Sequence, residues 1–342
     1  MKIAVTGGCG YIGSHTLVDL IENGFEVISI DDNSRSTQQI LDGVEKITGV
    51  RVKNYTVDMC QLANLRLVFE QNPDIEGVIH FAAYKWVGES VEQPLLYYRN
   101  NLDSLLNLLS CINDYGIKYH VFSSSCSVYG NPIELPVTEN TPLSIAESPY
   151  AMTKQIGERI IADFAKSGTH QHVLLRYFNP VGAHPSTHIG EIQPVPQNLV
   201  PYITQTAAGL RPQLRVFGNN YNTPDGTCLR DYIHVSDIAY AHTLALQYLI
   251  DKFNIKDNRY NNCEVFNLGL GKGSTILEVI AAFERSTGEK LNYIITERRA
   301  GDVEKIYSDN TKAKKALHWH PKYTLDDMML TAWQWQQKLM LK

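Results

Sequence analysis

Ile3-Ala4-Val5-Thr6-Gly7-Gly8-Cys9-Gly10-Tyr11-Ile12-Gly13 runs three apolar residues directly into a glycine-rich turn. The triplet reads as a short buried strand. Ile12, Leu17, Leu20 and Ile21 then recur with helical spacing until Asn23-Gly24 supplies a left-handed stop. Phe25 to Ile30 is a second strand, ending at Asp31-Asp32. A glycine turn between strand and helix lets backbone amides approach a pyrophosphate at the positive end of the helix, and a carboxylate after the second strand accepts ribose hydroxyls. Gly8-x-Gly10-x-x-Gly13, with Asp31 eighteen residues beyond Gly13, meets both requirements. Any tight turn would satisfy three glycines alone; strand, helix, strand and acid in this order select a dinucleotide site. An acid at this position repels a 2′-phosphate, so the expected cofactor is NAD rather than NADP.

The alternation continues outward from that unit. A strand near Val50 to Val57 ends in Asp58-Met59, a helix covers about Gln61 to Gln71, and Gly77 to Ala82 is a further strand. Pro94 suits the first turn of a long helix closing at Tyr115-Gly116, and the strand Tyr119 to Ser123 opens into Ser123-Ser124-Ser125-Cys126-Ser127. Pro149 starts a helix reaching about Lys166, and Gln171 to Phe178 is a sixth strand. Repeated strand–helix units of this length predict an α/β fold, a Rossmann-type doubly wound parallel sheet whose strand ends line the ligand crevice.

From Val181 to Asp231 the chain turns rich in Pro, Gly, Asn and Thr, with a helix around Asn198 to Ala208 and a strand at Leu214 to Phe217. The expected organisation is a dinucleotide-binding domain over 1–180, to which about 232–268 returns, and a smaller mixed α/β substrate domain over most of 181–342. Within 232–268, Ser236 to Leu249 reads as helix and Val265-Phe266-Asn267 as a buried strand; Thr275-x-x-Glu278 and Thr324-x-x-Asp327 are helix-start signatures.

Composition excludes several classes of function. The chain has 342 residues, 44% hydrophobic and 20% charged, with a net charge of -5, which argues against a nucleic-acid or anionic-membrane surface. No apolar run approaches the ~18 residues of a spanning helix. Six scattered cysteines without a C-x-x-C pair read as reduced thiols, so a cytoplasmic protein is expected. His184 and His188 lack a carboxylate or cysteine set to complete a metal site, and no metal is expected.

Tyr150-Ala151-Met152-Thr153-Lys154 puts a phenol and an ammonium one helical turn apart, where the cation can stabilise a phenolate. The spacing also occurs on ordinary solvated helices; its meaning depends on the cofactor loop upstream.

With these pieces assembled, the chain resembles an extended short-chain dehydrogenase/reductase, and more closely the UDP-glucose 4-epimerases. The glycine loop and Tyr150-x-x-x-Lys154 are superfamily-level signals. More specific are the stretches Phe81 to Ser90, around Lys85-Trp86-Val87-Gly88-Glu89-Ser90; Arg176 to Pro185; and Arg230-Asp231-Tyr232-Ile233-His234-Val235. The resemblance implies reversible 4-epimerisation of UDP-galactose and UDP-glucose through a 4-keto sugar, with transient hydride transfer to NAD. Tyr150 would be base and then acid, Lys154 would support it and hold the nicotinamide ribose, and Ser125 would bond the O4 oxygen. A free tyrosine near pKa 10 needs roughly 4 kcal/mol of differential stabilisation to reach neutrality. Cofactor contacts are implied for Gly7, Gly10, Tyr11, Ile12, Gly13, Asp31, Asp58, Met59, Phe81, Ala82, Lys85, Asn100, Ser125, Tyr150, Lys154 and Phe178. UDP-sugar contacts are implied for Asn179, Asn198, Leu199, Phe217, Arg230, Tyr232, Arg299 and Asp302, with Arg298 a solvated neighbour.

Three rivals are weighed against this reading. The related 4,6-dehydratases carry an Asp-Glu pair after the strand-end hydroxyl, where this chain has Cys126 and Ser127. UDP-glucuronate 4-epimerases are nearer, but Phe178 to Pro185 resembles the galactose type. A non-catalytic NAD-sensing protein would have no use for Ser125, Tyr150 and Lys154 together. The position that gates the sugar pocket in relatives aligns with Ile306, intermediate in size between a tyrosine that excludes N-acetyl groups and a small residue that admits them, so UDP-N-acetylglucosamine stays open as a substrate. Trp86 and Cys9 depart from the residues expected at their positions. The helices from Pro94 and Tyr150 would build a homodimer interface.

Overall fold

A computed structural model describes residues 1–192, 195–255, 262–299 and 303–341, with the side chains of 254 and 255 outside that description. The first half alternates β1 (Lys2–Thr6), α1 (Tyr11–Glu22), β2 (Glu26–Ile30), α2 (Ile40–Thr48), β3 (Lys53–Tyr55), α3 (Leu62–Glu70) and β4 (Ile75–His80). Then come α4 (Val87–Glu92), α5 (Pro94–Tyr98), α6 (Ser104–Asp114), β5 (Tyr119–Ser123), α7 (Pro149–Phe164) and β6 (Gln171–Tyr177). The helix expected from Pro94 is interrupted: Arg99–Asp103 forms a π-helical turn between α5 and α6. Only Lys53–Tyr55 of the strand expected near Val50 to Val57 is paired, because β3 is the sheet edge and bonds to β2 alone.

The remaining elements are β7 (Asn179–Val181), α8 (Leu199–Ala207), β8 (Leu214–Phe217), β9 (Leu229–Arg230), β10 (Tyr232–His234), α9 (Val235–Ile255), β11 (Cys263–Leu268), β12 (Ser274–Thr275), α10 (Ile276–Thr287), β13 (Tyr293–Thr296), β14 (Lys305–Ile306), α11 (Thr311–Ala316) and α12 (Leu325–Met340). Thr275 and Thr324 each complete a reciprocal capping box, with Glu278 and Asp327.

Seven strands form one sheet in the order β11-β6-β5-β4-β1-β2-β3, every neighbouring pair parallel. Side chains alternate across it. Ile3, Val5, Val121 and Val173 pack with α1, α2 and α9 through Leu17, Leu41 and Ile238, whereas Ala4, Phe122 and Leu174 pack with α3, α6 and α7 through Phe69, Leu108 and Ile161. Both faces are thus covered, as a parallel sheet requires. Chain order reverses between β1 and β4, and in a doubly wound sheet that reversal is where a ligand crevice lies, outside the carboxyl ends of the two strands. A second core unites α8, α10, α12 and β8 around Ile203, Phe283, Met328 and Val216. None of the described helices is long and apolar enough to cross a membrane.

Candidate active site

The glycine turn sits at the reversal point. Gly7 adopts φ +69°, and a Cβ there would lie 2.8 Å from Ala82 N, while a Cβ on Gly13 would lie 2.2 Å from the Gly7 carbonyl oxygen. Only glycine lets the β1 end, the start of α1 and the β4 end approach this closely. The α1 N-terminus has no side-chain cap and no acidic residue in its first turn, so the first-turn amides, Tyr11 and Ile12 among them, keep their donors for an anion. Asp31, 9% exposed, is held by donors from Cys9 N at 3.0 Å, Asn33 N at 2.9 Å and Ser36 Oγ at 2.7 Å. Burial raises its pKa and these bonds oppose the rise. An uncapped helix end beside a glycine cradle and an oriented carboxylate fit an adenine dinucleotide.

The neighbouring strand ends bring in the other expected cofactor residues. Asp58 accepts from Cys60 N at 2.8 Å, and buried Met59 is tied through its carbonyl to Asn107 Nδ2 at 2.9 Å. Phe81 packs on His242 with ring centroids 4.6 Å apart, and Ala82 N donates to Thr6 Oγ1 at 3.3 Å. Asn100 lies in the π-helical turn, its Nδ2 donating to Asn101 Oδ1 at 3.0 Å. Lys85 pairs with Glu191 at 2.8 Å.

Ser148 caps α7 by accepting from Ala151 N at 3.2 Å, and Pro149 occupies the first turn, which sets the register of everything after. A Cβ on Gly157 would meet Phe122 at 3.1 Å and Leu105 at 3.2 Å, so its absence seats α7 tightly on β5 and α6. Lys154 is consequently buried, its Nζ donating to the Ser123 carbonyl at 2.6 Å and lying 6.0 Å from the Tyr150 ring centroid. Burial draws the ammonium down to about 8, opposed by Glu158. Tyr150 moves the other way. Burial pushes its phenol up to about 12, with a hydrogen bond from Ser125 acting against the rise and Cys126 adding to it. The chain's own groups therefore leave the phenol firmly protonated, although Lys154 is close.

The three consecutive serines, indistinguishable in the sequence, have separate partners. Ser123 Oγ pairs with Tyr177 OH, Ser124 Oγ donates to Glu158, and Ser125, extended at the head of a short 3-10 turn, accepts from Ser127 N at 3.2 Å and faces Tyr150. Ser125 is thus both the strand-end cap and the hydroxyl at the phenol. Burial pushes the adjacent Cys126 thiol up to about 12, with Arg230 opposing.

Beyond the strand ends, short pairings gather the expected substrate residues. β10 runs parallel to β7 with Tyr232 opposite Asn179, and β14 runs parallel to β9 with Ile306 opposite Arg230. Asp231, wholly buried between Arg230 and Tyr232, accepts from Leu270 N at 2.7 Å, Gly271 N at 3.2 Å, Ser308 N at 3.1 Å and Ser308 Oγ at 2.7 Å. Asn198 precedes α8 and Leu199 begins it; Phe217 ends β8 with the Arg299 guanidinium 5.4 Å from its ring centroid. Arg298 is exposed, as expected of a solvated charge, and it also stacks on Tyr221 at 3.9 Å and donates to Asn220 Oδ1 at 2.6 Å. Ile306, 5% exposed, shares a small core with Phe178, Val128, Tyr129 and Val137. Asp302 lies outside the described residues.

Sequence reading passed over Glu158 and Arg176 as a pair. Arg176 Nε and Nη2 grip both Glu158 oxygens at 2.9 and 2.6 Å, and Nη1 donates to Tyr129 OH at 3.0 Å. The available signal was spacing: Glu158 follows Lys154 by the same four residues that separate Lys154 from Tyr150.

A doubly wound sheet with this glycine cradle and a serine–tyrosine–lysine set at its carboxyl edge defines a short-chain dehydrogenase/reductase of the extended type. A family model described as GDP-mannose 4,6 dehydratase matches residues 4–331. UDP-glucose 4-epimerase 2 of Arabidopsis thaliana is 45% identical over 340 residues, spanning 98% of this chain and 94% of the relative. The crystal structure of a Stenotrophomonas maltophila UDP-glucose 4-epimerase with bound NAD and formylated UDP-arabinopyranose has a TM-score of 0.95 at 40% identity, covering 100% of this chain and 99% of the other. That of the Bifidobacterium longum enzyme in complex with NAD+ and UDP has a TM-score of 0.92 at 43% identity, covering 99% and 98%. Within the wider group that the family model describes, the chain belongs to the UDP-glucose 4-epimerase family.

Proposed function

We infer that this protein is an NAD-dependent UDP-glucose 4-epimerase that interconverts UDP-galactose and UDP-glucose in galactose metabolism, matching its relatives over nearly the whole chain. The observation that carries the reading is the meeting of Ser125, Tyr150 and Lys154 at the crevice, with the paired strands of Asn179, Arg230, Tyr232 and Ile306 directly beyond.

Tyr150 takes the proton from the sugar O4 as C4 is oxidised and returns it after the 4-keto sugar has turned over. Bound NAD supplies the acceptor for the C4 hydride and a positive ring. From about 12, the phenol must come down by some five units, which is roughly 7 kcal/mol of differential stabilisation. Burial thus raises the demand above that of a free tyrosine. Lys154, with its proton held to about pH 8, is still an ammonium at neutral pH and contributes its field from the next turn of α7. Ser125, bonded to the phenol, offers the O4 oxygen a donor and a proton path. Arg230 and Arg299 are the cations for the diphosphate, and buried Asp231 holds Arg230 and Tyr232 on either side of it. Cys126 and Ser127 provide no carboxyl pair, so the keto sugar is reduced rather than dehydrated.

Purified protein incubated with UDP-galactose should yield UDP-glucose at the epimerase equilibrium. No conversion, with or without added NAD, rejects the reading.

The reading extends to a homodimer. Val91, Leu95 and Leu106 on α4, α5 and α6 are 60%, 71% and 46% exposed, an apolar strip beside α7 that a second copy would cover. Elution as a monomer on a sizing column would contradict it. A cytoplasmic location accords with six cysteines present as thiols rather than disulfides.

A further inference from the structure

Arg35 lies four residues beyond Asp31, in the turn leaving β2. Its guanidinium carbon is 4.7 Å from the Tyr84 ring centroid and 4.7 Å from that of Trp86, so the cation contacts both aromatic rings. Nη2 donates to Glu89 Oε1 at 2.7 Å. Glu89 is itself fixed, since its other oxygen accepts from Tyr97 OH at 2.7 Å, and that phenol accepts Trp86 N–H at 3.0 Å. Tyr84 is anchored from behind. Its amide donates to Asn101 Oδ1 at 2.8 Å, and Asn101 Nδ2 donates to its carbonyl and to Thr153 Oγ1 on α7, both at 3.0 Å.

Lys85, between the two aromatics, goes to the other side. It pairs with Glu191 at 2.8 Å and lies 5.8 Å from the Tyr11 ring at the start of α1. The segment Tyr84–Trp86 therefore runs from the glycine-loop side of the crevice to the Asp31 side and is fastened at both. Glu89 neutralises Arg35, so the guanidinium serves as a fastener rather than as a free phosphate-binding cation.

We propose that Arg35, held by Tyr84, Trp86 and Glu89, is a clasp across the dinucleotide crevice, and that NAD enters and leaves only while Arg35 is withdrawn from the two rings. The proposal rests on the NAD reading above. Every contact in the clasp is made between protein groups. A contact made equally in free and bound protein cannot change affinity, because only differential interaction shifts an equilibrium. The clasp slows entry and exit alike. Two cation–π contacts and a partly exposed ion pair hold it shut by a factor on the order of ten to a hundred.

The test follows NADH binding to cofactor-stripped protein by stopped-flow energy transfer from tryptophan, comparing wild type with Arg35→Ala and Arg35→Lys. Arg35→Ala is expected to raise the association and dissociation rate constants together, by about tenfold or more, with Kd changed by less than about threefold. Arg35→Lys, which keeps the charge but loses the planar stack, should fall between. Thermal midpoints matching wild type would show that the fold is intact, and Trp86→Phe, which retains a ring, should keep the slow rates. Unchanged rates in Arg35→Ala overturn the clasp while leaving NAD binding standing. A weaker Kd with an unchanged association rate also overturns it, by showing that Arg35 touches the dinucleotide. Wild type that binds no NADH overturns the cofactor reading itself.

Discussion

Replacing Arg176 by methionine leaves the Glu158 carboxylate buried without its counter-charge. The two side chains are 6% and 7% exposed and joined by two hydrogen bonds of 2.9 and 2.6 Å, so the pair is bidentate and nearly dry. Breaking such a pair from one side costs about 3–5 kcal/mol. That is a large share of the roughly 5–15 kcal/mol that holds a domain folded. Removing both charges has a different outcome, because Glu158→Met/Arg176→Met leaves no stranded ion. Ser124 loses its acceptor and Tyr129 OH loses the donor Arg176 supplied, so the double variant should stay about 1–2 kcal/mol below wild type. Urea unfolding of wild type, both single variants and the double variant forms a complete cycle. Because Glu158 is one turn from Lys154 and steadies its charge, turnover should fall in both Glu158 variants even where the fold is recovered. An Arg176→Met protein within 1 kcal/mol of wild type, or a double variant no better than the worse single one, refutes the reasoning.

Acid should unfold the protein through its buried histidines, and a pocket substitution should tune the substrate range. Burial holds His80 and His172 down to about 3, His242 to about 4 and His120 well below the usual value. Unfolded histidines bind protons first as pH falls through about 6.5, so stability is complete above that value and declines toward pH 3–4. Each costs about 2 kcal/mol by pH 5. The His120 and His172 Nδ1 atoms are 3.0 Å apart, one donating and the other accepting, so protonating the accepting nitrogen breaks their bond. His172→Gln should flatten the pH slope of the thermal midpoint by one proton, and an unchanged slope would count against this. Ile306→Tyr should lower kcat/KM for UDP-N-acetylglucosamine relative to UDP-glucose by about tenfold or more, and loss of both equally would mean that the packing with Phe178 has been disturbed instead.

Local signals carried much of the architecture. The turn after Val5, the stop at Asn23-Gly24 and the two capping boxes depend on residues close in sequence, and the structure has them where the spacing predicts. The π-helical turn at Arg99–Asp103 escaped notice because it leaves the apolar pattern of Pro94 to Gly116 unbroken. Helix α2 went unread between Asp32 and Val50. The pairings of β9 with β14 and β7 with β10 join distant segments through two- and three-residue strands, too short to show a period. Their common anchor, Asp231, looks in sequence like any charged residue; four donors converging on it make it structural. For Tyr150, spacing named the cation on the next turn but not the burial that outweighs it.

Tyr150→Phe tests the central claim most directly. It removes one oxygen from a ring that α7 still holds in place, so the cofactor cradle of Gly7, Gly10, Gly13 and Asp31 is untouched. The purified variant should retain NAD at the wild-type stoichiometry, read from its extracted cofactor, while conversion of UDP-galactose to UDP-glucose falls by at least about a hundredfold. Near-wild-type turnover with NAD bound would show that Tyr150 is not the base.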